Sequence, residues 1–124
     1  INRQTNAVVA TRLVAAFDSK SRRTGLLEHE QLAPDVAMLI APSNAIHTFF
    51  MRFPIDVAFV RKDGRILKLQ KGLEPWRIAA AWGGHAVVEM ADGALTRAGA
   101  KVGDVLAVRR KDDTSSQSNA MAHT

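Results

Sequence analysis

The chain has 124 residues, of which 47% are hydrophobic and 23% are charged, and its formal net charge is +5. This balance is typical of a folded globular domain and excludes a disordered chain. The absence of cysteine excludes disulfides, thiolate metal ligands and a thiol nucleophile.

The length of the chain predicts one globular domain, and the polar residues 110–117 predict a C-terminal tail. Residues 118–124 read Ser-Asn-Ala-Met-Ala-His-Thr, which resembles an expression-tag scar followed by an initiator methionine. We therefore expect 118–124 to precede Ile1 in the natural order. A start of this kind has no signal peptide, and no apolar run approaches the roughly 20 residues of a membrane helix. We expect a cytoplasmic protein without a membrane span.

The first half of the chain predicts strands around one helix. Residues 8–10 and 13–15 are rich in Val, Ala and Leu, which predicts one or two strands. Asp18 is placed to cap a helix that begins near Ser19 and ends before Pro34. Three apolar runs follow, and we interpret them as strands: 36–41, 46–53 and 55–60.

The second half begins with a hairpin. Lys62-Asp63-Gly64 is a tight-turn sequence, so residues 55–60 and 66–69 should pair antiparallel. Residues 72–85 are expected to form a long connection. After it we predict a strand at 86–90, a short helix over 94–98 capped by Asp92, and a last strand at 105–108. The predicted fold class is α+β and β-rich, a mostly antiparallel sheet or partly closed barrel with one helix in the N-terminal half and one near the C-terminus.

Ionisable residues in the apolar runs are the candidates for chemistry. On a strand over 46–53, His47 would share an apolar face with Phe49, Met51 and Phe53, which favours a neutral core histidine over an acid or base. Asp56 also points toward buried surroundings and therefore needs partners, since burying an unpaired charge costs several kcal/mol. It either ties the loop at Pro54 to its neighbours or orients His47. The same two alternatives, a structural role or a role with His47, are open for Glu89.

The loop 71–85 carries both tryptophans of the chain, Trp76 and Trp82, close to Arg77. This mixture could stack on bases or sugar rings, or the two rings could cover one edge of the core. Metal binding is not expected, because the four histidines show no paired spacing. We also expect no cofactor. The basic excess is interpreted as a solvated surface rather than a nucleic-acid site, because the longest Lys/Arg run, at 109–111, has only three residues.

Several segments together resemble the domain of unknown function 192 family over about residues 8–109. They are 24–27, 37–40, 50–60 with 63–64, 88–93 and 102–104. The resemblance implies a compact β-rich α+β domain of bacterial and archaeal distribution, with no established activity, cofactor or substrate. The matched motif residues are Gly25, Met51, Pro54, Asp56, Gly64, Glu89, Gly93, Gly103 and Asp104. Phe53 departs from the family pattern, in which a polar residue is more common.

Three functional hypotheses follow. The first is a non-catalytic binding or accessory module, for a small anionic ligand or a protein partner, with a face built from Arg52, Asp56, Glu89 and the Trp76-Arg77 loop. The second is a small hydrolase-like enzyme that uses His47 with Asp56 or Glu89. The third is weak nucleic-acid binding through the basic surface, which we do not favour.

Overall fold

The computed structural model describes residues 1–16, 32–49 and 51–109. In these residues the chain forms strands β1 (Arg12–Ala16), β2 (Val36–Ile40), β3 (Ala45–His47), β4 (Ile55–Val60), β5 (Ile66–Leu73), β6 (Ile78–Ala80) and β7 (Ala86–Ala91), and one helix, α1 (Ala94–Arg97). The helix predicted from Ser19 lies outside the described residues, as do the tail and the segment 118–124.

Five strands form one sheet in the order β1-β2-β7-β4-β5, and β3 pairs with β6 in a second sheet. The pair β1/β2 is parallel, and the other neighbours are antiparallel. The predicted β-rich, mostly antiparallel sheet is therefore confirmed. The barrel alternative is wrong, because β1 and β5 are the two edges of an open sheet.

Both faces of the five-stranded sheet are covered at β4, whose six residues are all buried. On the first face, here the Phe59 face, Val57 and Phe59 pack with Ile46 of β3 and Ala79 of β6. On the opposite face, the Leu95 face, Ala58 and Val60 pack with the Leu95 side chain of α1. Because side chains alternate along a strand, β4 separates two layers, with the β3/β6 sheet on one side and α1 on the other.

The predicted hairpin between β4 and β5 is confirmed. The Arg61 N–H donates to the Arg65 carbonyl at 2.9 Å, and the Gly64 N–H donates to the Arg61 carbonyl at 2.9 Å. Gly64 has a φ of 92°, which a residue with a side chain rarely adopts.

Other predicted boundaries are wrong. Residues 8–10 are not a strand, and β1 begins at Arg12. The strand predicted over 46–53 ends at His47, because the polar groups of Thr48 bond across to residues 74–77 instead of continuing the ladder. The predicted connection 72–85 contains β6, and β5 extends to Leu73.

The C-terminal part of the described chain also differs from prediction. The short helix is present as α1, but its N-cap residue is Gly93, which has no side chain with which to cap the helix. Asp92 is therefore not the N-cap. Residues 105–108 form only isolated bridges, one between Val105 and Arg65 and one between Leu106 and Asn2. Asn2 is fully buried, so the first residues of the chain pack against its last described segment.

Candidate binding surface

The two candidate carboxylates lie on opposite faces of the five-stranded sheet. In the β4/β7 ladder, Asp56 is opposite Met90, and Glu89 is opposite Val57. Directly opposed residues point to the same face, so Asp56 lies on the Leu95 face and Glu89 on the Phe59 face. Both side chains are fully buried. The sheet separates the two carboxylates, so they cannot act together on one substrate.

Asp56 connects three elements through its two carboxylate oxygens. Oδ1 accepts a hydrogen bond from the Gly72 N–H at 2.9 Å, and Oδ2 accepts one from the Leu95 N–H at 3.0 Å. Leu95 lies in the first turn of α1, where the backbone N–H groups have no partner within the helix. Asp56 thus caps α1 from a distant strand. These two bonds tie β5 and α1 to β4, whereas the structural interpretation made from the sequence had Asp56 tying the loop at Pro54.

His47 is half-buried on β3, next to Ile46, which points inward to the Phe59 face. Alternation directs the His47 side chain away from that face, and its Nδ1 accepts a hydrogen bond from the Phe49 N–H at 3.3 Å. Asp56 lies on the Leu95 face, on the other side of the five-stranded sheet from β3. The sheet therefore separates His47 from Asp56. Glu89 lies on the Phe59 face, from which the His47 side chain points away.

Thr48 is fully buried and fixes the loop of residues 74–77. Its Oγ1 donates to the Glu74 carbonyl at 2.6 Å and accepts from the Arg77 N–H at 2.8 Å. Its backbone N–H donates to the Arg77 carbonyl at 2.8 Å, and its carbonyl accepts from the Trp76 N–H at 3.0 Å. One buried threonine thereby determines the position of Trp76.

Trp76 is held in an unusual backbone conformation. Its φ is 65°, in the left-handed region that costs a non-glycine residue on the order of 1–3 kcal/mol. The indole stacks on Phe49 with ring centres 5.7 Å apart, and Phe49 lies 4.7 Å from the His47 ring. The backbone bonds to Thr48 offset the strain and present a row of three rings beside β6.

The outward face of β6 is apolar. Residues 76, 78, 80 and 82 are all exposed, whereas Ala79 between them is buried. The exposed fractions are 55% for Trp76, 70% for Ile78 and 98% for Trp82. We call the outward side chains of Trp76, Ile78, Ala80 and Trp82 the β6 stripe. The two tryptophan rings therefore do not cover an edge of the core.

Charged side chains near the β6 stripe are mostly basic. Arg77 lies within the same segment and is exposed, and Arg52 is exposed in the segment that follows Thr48. Lys68 Nζ donates to the Ala80 carbonyl at 3.0 Å, which places this ammonium group at the edge of β6. Glu74 is the acidic neighbour. An open cleft of about 330 Å³ is lined by Gln70, Gly72, Leu73, Glu74, Arg77 and Ile78.

The ligand-binding residues predicted from the sequence thus divide into two groups. Arg52, Trp76 and Arg77 are exposed, whereas Asp56 and Glu89 are buried and cannot contribute to the same surface. Sequence reasoning missed Ile78, Ala80 and the buried Thr48. The period-two pattern from Trp76 to Trp82 was the available signal for the stripe, but it was interpreted as part of a loop.

Across the described residues, no group of three or more His, Asp or Glu side chains could hold a metal ion. None of the helices in that part of the chain has the length and apolar character needed to cross a membrane.

A family model, DUF192, described as an uncharacterised ACR family, matches residues 1–108. The chain belongs to the DUF192 family. This confirms the resemblance carried by the sequence segments around Met51, Asp56 and Glu89. No curated protein matches the chain.

Two solved structures are similar to this DUF192 domain. One, from Sinorhizobium meliloti 1021, is described as a "putative transcription regulator"; it is 26% identical with a TM-score of 0.66, over 75% of this chain and 78% of that one. The other is a protein of unknown function from Novosphingobium aromaticivorans DSM 12444, 25% identical with a TM-score of 0.66, over 75% of this chain and 71% of that one. Family membership therefore supports the fold and assigns no activity.

Proposed function

We propose that this DUF192 domain is a non-catalytic binding module and that its ligand contacts the β6 stripe. The observation that carries the proposal is the exposure of three large apolar side chains, Trp76, Ile78 and Trp82, in the segment 76–82 that contains β6. Isolated exposed apolar residues are ordinary on soluble proteins, but contiguous exposed apolar patches mark interaction sites.

The loop geometry supports the same proposal. The Thr48 hydrogen bonds hold the backbone of Trp76 at a positive φ, which a glycine would adopt at lower cost. A tryptophan in a fixed orientation loses little conformational entropy when a ligand covers it, which is why rigid aromatic residues are favoured at binding surfaces.

The hydrolase hypothesis has less support. An acid–base pair has to lie within hydrogen-bond reach of its partner, or be joined to it by one water molecule. Here His47 points away from the Phe59 face, while both oxygens of Asp56 accept backbone hydrogen bonds on the other side of the sheet. The solved structure from Sinorhizobium meliloti 1021 is described as a "putative transcription regulator", a description that names no catalytic activity.

Site-specific photocrosslinking in living cells of the source organism tests the proposal while the ligand is still unidentified. A benzophenone amino acid replaces Ala80, which is exposed at the centre of the stripe, and in a matched control it replaces Val102, which is 61% exposed outside the stripe. We expect an adduct of protein, lipid or nucleic acid at position 80 and none at position 102. Equal labelling at both positions, or none at 80, would overturn the proposed binding surface.

A further inference from the structure

We propose that the β6 stripe binds the surface of an anionic lipid bilayer, an inference that rests on the proposed binding function and names its ligand. The stripe would lie flat on the membrane, with its side chains at the level of the headgroups. No part of the chain has to cross the bilayer for this contact.

The side-chain composition of the stripe favours lipid. Tryptophan is enriched at membrane–water interfaces because its ring is apolar and its N–H is polar. Ile78, at the middle of the stripe, is aliphatic and 70% exposed. An aliphatic side chain gains free energy when it enters the acyl-chain boundary, but it offers no π-face on which a nucleic-acid base could stack.

The shape of the stripe also fits a flat ligand. Trp76 and Trp82 are separated by six positions. Ile78–Ala80 between them form the strand and both tryptophans lie in turns, so the two residues are at most about 20 Å apart at the usual rise of a strand. The side chains between them belong to the outward face of the two-stranded sheet, where Ala45 is opposite Ala80 and His47 is opposite Ile78. The small alanines leave the larger apolar side chains as the protruding groups.

The surrounding charge is complementary to an anionic headgroup layer. Lys68 and Arg77 contribute two positive charges beside the stripe, and Glu74 contributes one negative charge. The whole chain carries a formal net charge of +5. Basic residues beside an inserted apolar group increase the affinity for anionic lipid, by about fivefold for each Lys or Arg near the surface.

The chain has two tryptophans, so single replacements leave a single fluorescent reporter in the full-length protein. In the Trp76→Phe variant, Trp82 reports on the stripe. We expect vesicles of phosphatidylcholine with about 30% phosphatidylglycerol, an anionic membrane surface, to shift the Trp82 emission to shorter wavelength and to protect the ring from acrylamide. Vesicles of phosphatidylcholine alone should bind at least about fivefold more weakly.

Substitutions in the stripe test whether the apolar side chains make the contact. Ile78→Ser and Trp82→Ala, the latter measured with Trp76 as the reporter, should each lower the partition coefficient about tenfold or more. Val102→Ser, outside the stripe, should leave it unchanged. Arg77→Gln should lower it about fivefold, and Lys101→Gln, its exposed control, by less. Urea unfolding midpoints identify any variant whose fold is altered.

The outcomes separate this inference from the binding function on which it rests. Vesicle binding that requires Ile78 supports the inference. Absence of vesicle binding overturns it. If a 15-residue oligothymidine then binds and its binding requires Trp82, the ligand of the stripe is nucleic acid rather than a membrane. If position 80 still crosslinks in cells in either of those cases, the binding function stands and the ligand is not a membrane. If position 80 does not crosslink, the binding function also fails.

Discussion

The Oδ2 atom of Asp56 accepts a hydrogen bond from the backbone N–H of Leu95 at 3.0 Å, and this bond joins β4 to the first turn of α1. A helix of four residues is too short to be stable alone, so its position depends on tertiary contacts. Leu95 is fully buried against the sheet, and the carboxylate and the leucine side chain anchor the same turn.

Asp56→Ala should destabilise the domain by about 2–5 kcal/mol, because it leaves the N–H groups of Gly72 and Leu95 without their acceptor. Asp56→Asn, which retains one side-chain oxygen, should cost less. Urea unfolding followed by circular dichroism measures both. Asp92→Ala is the matched control, because Asp92 is exposed and is not the N-cap; we expect a change within about 0.5 kcal/mol. Equal effects at 56 and 92 would contradict the capping role.

Thr48→Val should destabilise the domain by about 1–3 kcal/mol, since it removes the acceptor of the Arg77 N–H at nearly constant volume. The loop 74–77 should also loosen. In a Trp82→Phe background, the emission anisotropy of Trp76 should therefore fall. Thr96→Val, at an exposed position of α1, is the control and should change neither quantity. An unchanged Trp76 signal in Thr48→Val would show that other contacts position the loop.

Gly64→Ala should destabilise the domain more than Gly103→Ala. Both glycines have a φ near the same positive value, 92° and 97°, so both alanines carry a backbone cost of about 1–2 kcal/mol. A Cβ on Gly64 would also overlap with the Leu106 carbonyl oxygen, whereas one on Gly103 would meet nothing within 4 Å. Thermal unfolding of the two variants measures the difference. Equal melting temperatures would mean that the segment at Leu106 moves aside at little cost.

Arg61 lowers the pKa of Asp63 to about 2, chiefly through a hydrogen bond between the two side chains at the β4/β5 turn. A lowered pKa in the folded state means that the pair stabilises the fold above the ordinary value of 3.8, and that this contribution is lost as the pH falls through about 2. NMR titration of the Asp63 carboxyl carbon should show this pKa. Arg61→Gln should raise it toward 3.8.

Arg65→Gln is the control for that titration. Arg65 acts on Asp63 mainly through its backbone N–H, which donates to Asp63 Oδ1 at 3.0 Å and remains in the variant. The Asp63 pKa should therefore rise less than in Arg61→Gln. A larger rise of the Asp63 pKa in Arg65→Gln than in Arg61→Gln would show that Arg65, not Arg61, is the main cause of the lowered pKa.

Local sequence patterns were sufficient to predict the elements that are determined by residues close together in the chain. The β4/β5 hairpin was predictable because the turn Lys62-Asp63-Gly64 lies between two apolar runs, and β7 because its residues are apolar except for Glu89. The strand over 46–53 was predicted too long for the opposite reason. Thr48 leaves the strand to bond with residues 74–77, about 30 positions further along, and no local pattern indicates that partner.

The sequence by itself determined the β-rich class, the family and the two buried acids as special positions, because composition, turn residues and motifs are properties of neighbours in the chain. Only the tertiary structure decided that Asp56 and Glu89 lie on opposite faces of the sheet, since that depends on the pairing of β4 with β7. The tertiary structure also decided that Trp76, Ile78 and Trp82 are exposed. In the pairing of β6 with β3, Ala79 lies opposite Ile46 and both side chains are buried, which leaves Ile78 on the outward side. Strand pairing across long loops, rather than local preference, thus placed the candidate surface.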